Sequence, residues 1–133
     1  MGKMIRIGMV GLVAAAALAV APAAMAGSAR SQAQAVVTSG ACSGASTWKL
    51  TLKKDSATKI EADLEVQSNA SGQTWKYTMK DNGTRFAKGT RTTAADGSFS
   101  VSRLATNQAG SDLITVKSTN LTTLEVCNAA GTF

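Results

Sequence analysis

Cys42 and Cys127 are the two thiols of this 133-residue chain, and no histidine accompanies them. A thiol can act as a nucleophile, a metal ligand or half of a bridge. Nucleophilic catalysis through Ser-His-Asp or Cys-His needs an imidazole base, which the chain lacks. Two sulfurs without imidazole also fall short of the usual zinc ligand set. A lipid-attachment cysteine would directly follow an apolar leader, whereas Cys42 is set off from the apolar N-terminal run by Gly, Ser, Ala and Gln residues. The chemistry left to the pair is a single Cys42–Cys127 disulfide, the one intramolecular pairing open to them. It would close a loop of 85 residues, for which the loss of chain entropy gives about 4–5 kcal/mol.

The carboxylates fall into two groups. Glu61, Asp63 and Glu65 alternate among lysines along one stretch, as on the exposed face of a strand. Asp55, Asp81, Asp96 and Asp112 stand in turn contexts, where Asp bonds its own backbone. Paired acids for glycoside chemistry must converge in a cleft, and no spacing singles out a pair. No Asp-x-Asp calcium loop is present. The sequence therefore predicts no catalytic residue, no metal ligand and no cofactor. Asn69, Asn82 and Asn120 each open an Asn-x-Ser/Thr triplet and are read as turn asparagines.

Binding chemistry is better represented. Trp75 and Tyr77 share one face of a predicted strand and Trp48 lies on another. Exposed, they would stack on sugar rings; alternation with Lys and Thr points instead to the core. A two-residue type I′ turn at Asn82-Gly83 would oppose Asp81 to Thr84, Lys80 to Arg85 and Met79 to Phe86. That register gathers Lys76, Lys80 and Arg85 on one outer face as the candidate binding surface. It also turns Lys88 inward beside Tyr77, a device that protects an edge strand from association.

The elements that hold these residues follow a period of two. Trp48, Leu50 and Leu52; Ile60, Ala62, Leu64 and Val66; and Trp75, Tyr77 and Met79 each alternate with polar neighbours. Shorter runs at 85–92, 98–104, 112–118 and 124–127 follow Gly-, Asp- or Asn-bearing turns. Seven antiparallel strands without a helical period predict an all-β, two-sheet sandwich closed by one disulfide.

Ahead of them, Lys3 and Arg6 precede the 14 apolar-dominated residues 7–20 and the small-x-small triplet Ala24-Met25-Ala26. This is the pattern of a secretory signal peptide cut between Ala26 and Gly27; the apolar run is shorter than the roughly 18–20 residues that span a bilayer. The expected organisation is a signal peptide at 1–26, a flexible lead-in at 27–41 and a β-sandwich at 42–133. Cleavage removes two cations from a formal +6 and leaves +4, too mild a charge for a nucleic-acid partner.

The order of strands resembles the immunoglobulin-like and fibronectin-III-like sandwiches, with Trp75 at the place of their core tryptophan and Gly110-Ser111-Asp112 leading into the sixth strand. The likeness covers Cys42 to Phe133 and extends to small secreted bacterial proteins of that kind. It departs at the cysteines, which flank the first and last strands here, and no tyrosine corner is present. Ala95-Asp96-Gly97-Ser98-Phe99-Ser100-Val101 is also similar to a stretch of the neocarzinostatin-type apoproteins, a likeness of one turn and one strand. The resulting expectation is a secreted, monomeric, non-enzymatic module that binds an anionic cell-envelope polymer or an extracellular protein. A small-molecule or carbohydrate carrier, with a pocket or an aromatic platform on the sandwich, is the alternative.

Overall fold

The structure, a computed structural model, describes residues 34–133. The signal segment, its Ala26–Gly27 junction and the first part of the lead-in lie outside the described residues. Eight strands follow in order: β1 Ala35–Ala41, β2 Thr47–Lys54, β3 Lys59–Gln67, β4 Thr74–Asp81, β5 Thr84–Thr92, β6 Ser98–Thr106, β7 Leu113–Asn120 and β8 Val126–Thr132. They form two antiparallel four-stranded sheets, β1-β2-β3-β6 and β5-β4-β7-β8. β8 lies against β1 and β2, and β5 lies against β6.

The alternation read from the sequence sorts the residues between core and solvent. Leu50, Leu52, Ile60, Ala62, Leu64 and Val66 from the first sheet meet Trp75, Tyr77, Met79, Ile114 and Val116 from the second, all shielded from water. Burial of such side chains is worth about 1.5–3 kcal/mol each relative to exposure, and it fixes which face of each strand turns inward. Cys42 and Cys127 are bonded to each other. The bridge ties the loop after β1 to β8. Glu125 ties the same corner: its Oε2 accepts the amides of Gly44 and Ser46, each at 2.9 Å, and its Oε1 accepts the Ser46 hydroxyl.

Two expectations need correction. The strands number eight, because part of the segment expected as a flexible lead-in forms β1 and pairs with β2 from Ala35↔Lys53 to Ala41↔Thr47. Small, half-exposed residues give β1 little periodicity of its own; its backbone is fixed by the neighbouring strand. Trp48 lies over Gly40 so closely that a Cβ there would come within 2.9 Å of the indole. The second correction concerns the β4–β5 hairpin. Asn82 and Gly83 both have positive φ, 50° and 89°, as a type I′ turn requires, and Lys80 opposes Arg85 as expected. A β-bulge then leaves Phe86 unpaired and sets Met79 opposite Ala87. One inserted residue reverses the facing of everything after it. Lys88 therefore stands opposite Thr78 on the outer face, exposed, and Gly89 takes the position against Tyr77.

Candidate functional site

Lys76, Lys80 and Arg85 come together as the sequence predicts, and the bulge adds Lys88 to them. Lys76 and Lys80 project from β4 because Trp75, Tyr77 and Met79 are buried on the other side. Antiparallel pairing on one flank places Thr90 across from Lys76, Lys88 across from Thr78 and Arg85 across from Lys80. On the other flank β7 contributes Lys117, across from Thr78, with Thr115 across from Lys80. Asn128 and Ala130 of β8 complete the surface beyond them. Lys117 was invisible to a reading of hairpins, because β4 and β7 are paired through a long connection.

This outer face thus holds five cations, Lys76, Lys80, Arg85, Lys88 and Lys117, on a floor of threonines, and no carboxylate stands among the outward residues of its four strands. The Lys80–Arg85 opposition is a like-charge pair. Such a pair disfavours the free protein slightly, and a bound anion relieves it. The face is grooved as well as charged. One depression of about 420 Å³ is lined by Thr78, Lys80, Thr115, Lys117, Asn128 and Ala130 among others. A second of about 280 Å³ shares Thr78 and Lys117 and reaches Leu121, and a third of about 260 Å³ runs past Lys76 to Lys88 and Thr90. Their shared residues make one trough across the strands.

The other sequence-derived candidates are distributed differently. Trp75 and Tyr77 are fully buried and present no platform to solvent. Trp48 is half-buried and lines a separate groove of about 410 Å³ with Ser39, Gly40, Lys49 and Glu65. Among the turn aspartates, Asp96 behaves as expected: its carboxylate accepts the Ser98 amide and hydroxyl, which hold it below its ordinary value. Asp112 also accepts a local amide, that of Gln108 at 3.3 Å, but Asp81 and Asp112 are buried together. They meet, 4% and 0% exposed, at one end of the sandwich. Burial first, then the facing Asp112 charge and hydrogen bond, push the Asp81 carboxyl above its ordinary 3.8. One of its oxygens, Oδ1, has no hydrogen-bond partner. Asn82 and Asn120 serve turns: Asn82 Oδ1 accepts the Leu113 amide, and Asn120 Oδ1 accepts those of Thr122 and Thr123. Among the described residues, no group of three or more His, Cys, Asp and Glu is placed to hold a metal ion.

No family model, curated protein or solved structure matches the chain.

Proposed function

We propose that the protein is a secreted, non-enzymatic binding module that works at the cell envelope and holds an anionic polymer on the outer face of the second sheet. The observation that carries this reading is five cations without a carboxylate on one grooved face. A row of like charges attracts a polyanion and gives it a salt-dependent affinity, and the threonines between them supply hydroxyls for its oxygens. Secretion is supported by the signal-like N-terminal sequence and by the disulfide, a bond that persists in oxidising compartments. An immunoglobulin-like identity is supported by strand order. Counted from β2, the sheet β5-β4-β7-β8 runs as C′-C-F-G, with Trp75 on its C strand, and β1 is an addition at the edge of the other sheet.

Sedimentation with isolated cell envelopes tests the proposal. Wild-type protein is expected to co-sediment in low salt and to be released by about 0.5 M salt, where screening shortens to a few ångströms. The double substitution Lys80→Glu and Arg85→Glu should abolish retention while shifting stability by less than about 1 kcal/mol. Equal retention of wild type and variant would remove the basic face from the function. A carbohydrate-binding reading is favoured by one observation, the Trp48 groove; retention lost in Trp48→Ala and kept in the charge variant would select it.

A further inference from the structure

Arginine is found on the inside of both strands that border the β5/β6 edge of the sandwich. On β6 the inward row reads Phe99, Val101, Arg103, Ala105, and on β5 it reads Ala87, Gly89, Arg91. Both arginines are half-buried and both address Tyr77, their guanidinium carbons each 5.7 Å from the centroid of its ring. The two cations are thus no further apart than twice that distance. Arg103 Nη2 donates to the Tyr77 hydroxyl at 2.7 Å. Tyr77 itself is fully buried, so its hydroxyl anchors Arg103 from beneath. The remaining guanidinium bonds are local: Arg91 Nη1 to the Thr90 carbonyl and Arg103 Nη1 to that of Ser102.

Among the described residues, no carboxylate lies within ion-pair distance of either guanidinium. The one ion pair among the described residues is Lys53–Glu61, on the outer face of the sheet whose inner face carries Arg103. Asp81 and Asp112 are engaged with each other, Asp96 with Ser98, and Glu125 with the loop after β1. Cation–π contact with one ring offsets part of the cost of holding two guanidiniums half out of water, but it leaves most of their ten N–H donors unanswered. Gly89 lets the hydroxyl reach this edge: a Cβ at that position would lie 2.8 Å from the Tyr77 oxygen, so a side chain there would collide with it.

We propose that Arg91 and Arg103, both drawn to the Tyr77 ring, form a binding site for a single oxyanion group, a phosphate or a carboxylate carried by an extracellular ligand. The guanidiniums supply fork-like donors suited to either group, and the buried Tyr77 hydroxyl positions that of Arg103. The site lies inside the β5/β6 edge, apart from the five cations of the outer face, and does not depend on their function.

The test is titration of the ¹⁵N-labelled protein with inorganic phosphate and separately with glucuronate, each against chloride of equal ionic strength, following the side-chain Nε–H signals of Arg91 and Arg103. Saturating shifts of both signals are expected with at least one of the two anions; phosphate alone or glucuronate alone identifies which oxyanion the site takes. Arg91→Gln, which leaves the Arg103–Tyr77 hydrogen bond intact, should weaken the affinity at least tenfold, and Tyr77→Phe, which releases Arg103 from that bond and keeps both charges, several-fold. Lys80→Glu with Arg85→Glu should leave it unchanged, so loss of envelope retention and loss of this site read out separately. Absence of saturable shifts with either anion, or an affinity unchanged in Arg91→Gln, would overturn the proposal.

Discussion

On the outside of β2 and β3, Lys49 stands across from Glu65 and Lys53 across from Glu61, the latter pair 3.2 Å apart. On the outside of β4 and β5, Lys80 stands across from Arg85, and Lys88 and Lys117 flank the same Thr78. The two surfaces share one backbone pattern and one alternation, and each covers half of a common core. Cross-strand neutralisation is therefore available to this fold and is used on one sheet. Its absence on the other is a property of that surface alone. A groove of about 240 Å³ on the first sheet is lined by Lys49, Asp63 and Glu65 together with Thr51, Ser100 and Ser102, so both signs meet there. The trough on the second sheet offers a single sign to whatever enters it.

The most damaging way to break the comparison is to remove the frame that both faces share. Replacing Cys42 and Cys127 by Ser should lower the melting temperature by about 10 °C or more, as expected for loss of a long-loop disulfide from a small domain; calorimetry under non-reducing conditions measures it. Glu125→Ala strips the acceptor from two amides and a hydroxyl in the loop after β1, and denaturant unfolding should register a cost of about 1–3 kcal/mol. Envelope retention of the folded variant should be unaffected, since Glu125 touches neither outer face.

Asp81 gives a smaller effect with a definite sign. Its folded carboxyl holds a proton more tightly than the unfolded one, so its contribution is complete below the ordinary carboxylate range and is lost as pH rises through the raised value. Asp81→Asn keeps a neutral group there. It should stabilise the protein by about 1 kcal/mol at pH 7 and by much less at pH 3; melting curves at the two pH values decide, and equal effects at both would refute the buried-acid account. The smallest pair of effects sharpens the contrast of the two faces directly. Arg85→Glu gives Lys80 an opposite partner and should raise stability by about 0.5 kcal/mol or less, while Glu61→Lys should lower it by a similar amount.

How far the sequence revealed this arrangement depended on how much each strand buries. β2, β3 and β4 each put three or four large apolar residues on one face, so their phase was unambiguous. β5 was not, because Phe86 and Ala87 are adjacent and either could have occupied the inner position; the bulge chose Ala87, and Lys88 changed sides. Arg91 was hidden by the unbulged register, which set Lys88 inside and Arg91 outside; the bulge exchanges them. The meeting of Asp81 with Asp112 and the joining of Lys117 to Lys76 and Lys80 are long-range consequences of β4 pairing with β7. No local pattern encodes them.

The salt dependence of binding to a soluble polyphosphate tests the central claim most directly, with wild type compared against Lys117→Gln on the second sheet and Lys49→Gln on the first. If the acid-free face holds the polyanion, the logarithm of the affinity should fall steeply with the logarithm of salt concentration, and Lys117→Gln should shallow that slope by about one contact's worth. Lys49→Gln should leave it unchanged. Equal slopes for all three proteins, or equal loss in both variants, would show that only net charge is being read and would contradict the account.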